Sequence, residues 1–205
     1  MAHHNPITVL LFTLAMLSNP HKVCSQAFPE GSSAIATGIG ALSLIGEISR
    51  TFDQYSGLEY SAIGPIYFKY EYAVQNNIGL GLNVAYTSNR WAYNVFEQNV
   101  NGTEITHAVE QIRHAYSILA RMNFHFGSSE SFDPFVGFGL GFRNAMWNTT
   151  TTAPFEIWSL DFPTLIRLGM EVTLGMRYYF TEHIGVYAEV GAAKSIFQGG
   201  LAARF

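Results

Sequence analysis

Nine charged side chains pose the chemical question in this sequence. Lys69, Glu71, Arg121, Arg143, Arg167, Glu171, Arg177, Glu189 and Arg204 all lie in alternating runs, each on the parity opposite the apolar residues. Six cations and three carboxylates on one face can pair as a buried ionic network or line a narrow polar conduit. Other chemistry is harder to build from these residues. Gly38-Ile39-Gly40 and Gly137 to Gly141 look superficially like phosphate-binding loops. A dinucleotide fingerprint, however, needs a strand, a glycine turn and then a helix, whereas these glycines alternate within strands. His107, His114, His125 and His183 lack the short spacing to thiols or carboxylates that a metal site requires. The expectation is therefore no metal and no cofactor. His114 and Ser117 form the best enzymatic pair, but an offset of three points them to opposite faces of a strand, so no catalytic residue is expected.

The elements that position the nine charges are strands. In Pro65 to Thr87, PIYFKYEYAVQNNIGLGLNVAYT, the residues Ile66, Phe68, Tyr70, Tyr72 and Val74 share one parity. After Gln75-Asn76-Asn77 the alternation resumes with Ile78, Leu80, Leu82, Val84 and Tyr86. A period of two on both sides of an Asn-rich turn marks a β-hairpin. Strands are expected at Ala34 to Ile45, Glu59 to Val74, Ile78 to Thr87, Ile112 to Phe126, Phe135 to Arg143, Leu165 to Phe180, Ile184 to Ala192 and Phe197 to Phe205. The turns at Gln75-Asn77, Gly127-Asp133 and Thr181-His183 are short. Ser88 to Gln111 and Asn144 to Thr164 read as long polar loops, and the alternation of short and long connections puts both long loops at one end of an up-and-down sheet. These loops carry Trp91, Tyr93, Phe96, Trp147, Phe155, Trp158 and Phe162, which can anchor at an interface, bind a protein or form an apolar entrance.

Composition narrows the class. Charged residues make up 13% of the 205, about half the usual share, and 48% are hydrophobic. No basic stripe suggests nucleic acid. Ile7 to Leu17 is an apolar core of signal-peptide length, followed by Pro20 and the small residues Ser25-Gln26-Ala27. Residues 1–27 are expected to be a cleaved signal and 28–205 a single domain. Cys24, the only cysteine, precedes the cut, so the mature chain is expected to hold no disulfide.

A soluble barrel would point its apolar parity inward and its charges to water. Three features favour the inverse. The charged parity is rich in glycine, with Gly79, Gly81, Gly137, Gly139, Gly141, Gly169, Gly175, Gly185 and Gly191. The apolar parity ends in Tyr72, Phe124, Phe126, Tyr178, Phe180 and Phe205, as interfacial girdles do. Strands of about ten residues suit a tilted membrane crossing. The expected fold is all-β, an eight-stranded antiparallel up-and-down transmembrane β-barrel, closed because open edges cannot be satisfied in hydrocarbon.

With its signal segment, the YEYAVQNNIGLGLNVAY hairpin, the DPFVGFGLGF strand and the closing GLAARF, the chain resembles the outer-membrane β-barrel domain proteins. It is similar in plan to OmpX, to the membrane domain of OmpA and to forms common in Bacteroidetes. That resemblance implies the outer membrane of a Gram-negative bacterium, surrounded by lipid and lipopolysaccharide. It also implies Phe205 as the signal read by the outer-membrane assembly machinery; unlike OmpA, the chain is expected to end at the barrel with no periplasmic peptidoglycan-binding domain. Some such barrels are lipid A enzymes with a His and a Ser near one rim, for which His114 and Ser117 are the nearest match. The expectation is a non-enzymatic surface protein with a charge-plugged lumen and an extracellular protein partner at its long loops. The alternative is a narrow channel, or a transporter of small hydrophobic molecules similar to OmpW-like barrels.

Overall fold

The computed structural model describes residues 27–43, 58–98, 104–127, 129–154 and 167–205. The expected signal segment and Cys24 therefore fall outside the described residues, except for Ala27.

The alternating runs fold into eight strands: β1 (Ser33–Ala41), β2 (Glu59–Gln75), β3 (Ile78–Gln98), β4 (Glu104–His125), β5 (Phe132–Thr151), β6 (Leu168–Tyr179), β7 (Ile184–Ala192) and β8 (Phe197–Arg204). Each pairs antiparallel with the next, and β8 returns to β1 to close the barrel. The closing seam runs from Ala34 opposite Arg204 to Ala41 opposite Phe197. Reciprocal bonds between Ser33 and Phe205, at 2.8 and 2.9 Å, extend it by one residue. The start of β1, the C-terminus and three short turns share one end, the periplasmic end of an outer-membrane-type barrel.

Burial follows the alternation with its sense inverted. Lys69, Glu71, Arg121, Glu171, Arg177 and Glu189 are buried, while Leu82 is 49%, Leu140 55% and Leu174 54% exposed. In water such a sheet would bury its ions and wet its oil, the reverse of what solvation favours. The outer belt is too extended to be a local interaction patch, and in a bilayer the same arrangement places every side chain in a matching solvent.

Strand length departs from expectation. Of the two segments read as loops, Ser88 to Gln111 is largely β-sheet and Asn144 to Thr164 is β-sheet as far as Thr151. β3 and β4 stay paired from Ile78 opposite Phe124 to Gln98 opposite Glu104, and β5 follows β4 to Thr151. At 21 and 22 residues, β3 and β4 are about twice the length a membrane crossing needs. Beyond the bilayer both faces of a strand meet water, so the apolar alternation fades there although pairing continues. Trp91, Tyr93 and Phe96 accordingly belong to β3, and Trp147 to β5. Phe155, Trp158 and Phe162 fall outside the described residues.

β2 carries the main irregularity. Its register shifts between Ile63 opposite Ser88 and Ile66 opposite Tyr86. Gly64 and Pro65 thus face the single residue Thr87, a β-bulge. Gly64 has φ 88°, the left-handed region where glycine alone escapes a Cβ clash. The extra residue reverses the inward parity, so Tyr60 and Tyr67, of opposite parity, both turn toward the interior.

Leu82→Arg would place a cation on the lipid face near the middle of the membrane-crossing part of β3. It is expected to cost about 2–4 kcal/mol of stability, measured by urea unfolding in phospholipid vesicles. Gln98→Arg, on the extramembrane extension, should leave the midpoint within about 0.5 kcal/mol.

Candidate functional site

Inward charges from five strands, β2, β4, β5, β6 and β7, meet in two clusters. In the first, Arg121 of β4 is the hub. Its Nη1 donates to Glu171 Oε1 (3.1 Å), its Nη2 to Glu189 Oε2 (2.7 Å) and Thr173 Oγ1 (2.8 Å), and its Nε to Asn123 Oδ1 (2.7 Å). Lys69 Nζ donates to Glu189 Oε1 at 2.6 Å and Gln198 Oε1 at 2.7 Å, and Asn83 Nδ2 donates to Glu171 Oε2 at 2.7 Å. The second cluster lies nearer the periplasmic end. Arg177 bonds Glu71 through Nη2 and lies 3.5 Å from Asp133 Oδ2 through Nη1. The ring nitrogens of His125 reach Asp133 Oδ1 and Glu71 Oε1, both at 2.7 Å. Carboxylates only accept, so His125 donates from both nitrogens as imidazolium. Lys69, Arg121, Arg177 and His125 then balance Glu71, Glu171, Glu189 and Asp133, four charges against four.

Aromatic rings close the spaces between these ions. Arg177 stands 4.8 Å from the Phe135 ring and 5.3 Å from Phe28, and Lys69 stands 4.9 Å from Tyr187. The inward glycines make room for the long side chains. A Cβ on Gly139 would come within 2.5 Å of Glu171 Cγ, and one on Gly137 would strike the Arg121 guanidinium. The cavity remaining among Lys69, Glu71, Arg121, Arg177 and Glu189 is about 10 Å³, at the lower limit for a single water.

Three of the nine charges stand apart from these clusters. Arg204 donates to the carbonyls of Glu182 (2.7 Å), Glu130 (3.0 Å) and Ala27, and lies 4.2 Å from the Tyr179 ring. It ties the periplasmic rim together, because β8 ends there and its last inward side chain reaches turns rather than lumen. Arg167 is exposed just before β6, and its carbonyl accepts from the Arg143 N–H at 2.9 Å. Arg143 itself sits at the opposite, extracellular mouth. Parity could not give these three their height along the barrel.

Conversely, His125 and Asp133 join the network although the spacing of histidines and the turn at Gly127-Asp133 suggested nothing of the kind. Asn83, Asn123, Thr173 and Gln198 do as well. All six share the inward parity, so extending the alternation test to uncharged polar residues, and β5 back to Asp133, would have found them. His114 and Ser117 lie on opposite faces: His114 Nδ1 pairs with Tyr86 Oη at 2.8 Å, while Ser117 is buried within.

Above the lumen, Tyr67 Oη lies 2.8 Å from Ser195 Oγ in the β7–β8 turn. Higher still, Trp91 stacks on Trp147 at 5.3 Å between ring centroids, Tyr60 packs tilted against Trp91 at 5.7 Å, and Arg113 lies 5.8 Å from the Trp147 ring. On the extension, Arg90 Nη2 donates to Glu110 Oε2 at 2.8 Å, and this bond holds the Glu110 carboxyl below its ordinary range.

Solved structures with a similar chain path include Ail, the attachment invasion locus protein of Yersinia pestis. It is 15% identical over 86% of this chain and 99% of its own, with a TM-score of 0.45. The outer membrane protein OprG from Pseudomonas aeruginosa is 13% identical over 88% and 99%, with a TM-score of 0.43. The E. coli outer membrane protein W is 13% identical over 87% and 98%, with a TM-score of 0.40. No protein-family model and no curated protein matches the chain.

Arg121→Met should lower stability by about 3–5 kcal/mol, since Glu171 and Glu189 lose their shared cation while remaining buried. Chemical unfolding in detergent micelles measures this. A loss below about 1 kcal/mol would mean that Arg121 is not the hub.

The closed sheet, the charged interior and the lipid-facing belt together make this protein an eight-stranded transmembrane β-barrel of the outer-membrane type.

Proposed function

We propose that the protein is a non-catalytic surface barrel: its lumen is sealed, and its extracellular sheet is the part presented to the surroundings. The observation that carries this reading is the Arg121 hub, which joins Glu171 of β6 and Glu189 of β7 across the lumen. An ion crossing the barrel would have to part pairs at 2.6–2.7 Å in a space that holds about one water. Eight-stranded barrels are in general just wide enough for side chains to fill.

On this reading the signal segment directs export and is removed by a cut ahead of Ala27, whose carbonyl Arg204 holds, and Phe205 is recognised by the outer-membrane assembly machinery. The lipid belt contacts phospholipid and lipopolysaccharide. The paired extension of β3, β4 and β5 supplies the surface for an extracellular protein partner, with the exposed Phe96 as one anchor. Apolar side chains on a rigid paired sheet lose less entropy on binding than the same side chains on a loop.

The channel reading makes a different prediction in planar bilayers. With a sealed lumen, the wild-type protein and Glu171→Gln should both show no steady conductance, while Glu171→Gln unfolds at lower denaturant. Steady conductance from either protein, or selective passage of a small apolar solute into liposomes, would replace the sealed barrel with a channel or transporter. Deleting Phe205 should reduce the folded fraction in the outer membrane several-fold, read by surface proteolysis of cells.

A further inference from the structure

A second cluster of cations lies outside the balanced network. A cavity of about 430 Å³ opens at the extracellular mouth and is lined by Thr87 and Asn89 of β3, Arg113 of β4, Arg143 of β5 and Lys194 of the β7–β8 turn. Among the described residues, none that lines it is acidic. Among the described residues, none of these three cations forms an ion pair: Arg113 lies against Trp147, and Lys194 Nζ donates to the Ala115 carbonyl at 3.1 Å. Among the described residues these three cations converge without a carboxylate, in contrast with the lumen, where Lys69, Arg121, His125 and Arg177 each meet one. Burial, with Arg143 and then Arg113, pushes the Lys194 ammonium down to about 8.

A second observation points into the same space. Thr87 is the β3 residue that the Gly64-Pro65 bulge leaves without a partner in β2. Its hydroxyl is unpartnered, although the residue is only 5% exposed. A buried donor facing a cation-lined cavity is the arrangement that an oxyanion completes.

We propose that this mouth cavity binds a phosphate group, carried either by a soluble phosphorylated solute or by a lipid headgroup of the outer leaflet. A phosphate monoester brings about −1.5 to −2 of charge and three acceptor oxygens, whereas a carboxylate would leave two of the three cations uncompensated. Two guanidinium forks suit phosphate oxygens, and the Lys194 ammonium adds a point charge. The volume exceeds that of phosphate alone, and Leu42, Met170 and Ile196 border the remainder, so the group arrives on a small or flexible apolar carrier. This site depends on the fold and not on whether the lumen conducts.

The test uses the whole mature chain in maltoside micelles, which contain no phosphate, with calorimetric titration. One arm adds inorganic phosphate. The other adds micelles doped with lipid A, compared with its dephosphorylated form. Saturable one-to-one binding is expected in at least one arm, weakened about tenfold or more in Arg143→Gln and in Lys194→Gln. Arg90→Gln, outside the cavity, should bind as wild type. Binding of inorganic phosphate alone assigns a soluble source, and binding of phosphorylated lipid A alone assigns a headgroup. Binding in both arms assigns the phosphate group whatever its carrier. Circular dichroism checks the fold of each variant, and Lys194→Gln, in a turn, keeps the test decisive if Arg143→Gln fails to fold. No binding in either arm, or equal binding by wild type and both variants, overturns the proposal.

Discussion

The backbone hydrogen bond governs this molecule more than any side chain does. In hydrocarbon an unpaired N–H or C=O costs several kcal/mol, and a sheet satisfies all of its groups only if it has no edge. The β1–β8 seam removes the edges. Closure then creates two surfaces that never meet, one in lipid and one around a narrow lumen. The alternation of side chains sorts residues between them at every second position. Inversion of the usual burial pattern is a consequence of closure in a bilayer rather than a separate design.

A lumen this narrow imposes its own rule. Side chains must fill it, and any charge that enters must leave compensated. Both demands are met by placing glycine opposite long polar side chains, as Gly139 does for Glu171 and Gly137 for Arg121. Arg121 links two acids on neighbouring strands, and His125 as imidazolium supplies the charge that makes the balance even. The aromatic rings of Phe135, Phe28 and Tyr187 occupy the remaining space and lie beside the cations.

The two ends of the barrel are built differently. At the periplasmic rim Arg204 binds backbone carbonyls and stacks on Tyr179, fastening turns. At the extracellular end β3, β4 and β5 continue beyond the membrane as paired strands, freed there from the requirement to keep one face apolar. The β2 bulge marks the transition: it reverses parity and leaves Thr87 at the foot of a cationic cavity. Compensation of charge, strict in the lumen, is relaxed where water can enter.

The sequence by itself determined the strand number, the inward and outward faces, and the lipid-facing sense, because lipid penalises each misplaced charge and so writes a period of two into every crossing. Ile184 to Ala192 is legible to the residue for that reason. The extension of β3 to β5 was not legible, since pairing in water needs no apolar alternation, and its residues therefore read as loops. Nor could parity say that Arg121 would meet Glu171 and Glu189 while Arg143, Arg167 and Arg204 would not. Height along a barrel comes from strand register and tilt, which are shared by all eight strands at once, and only the closed structure fixes them.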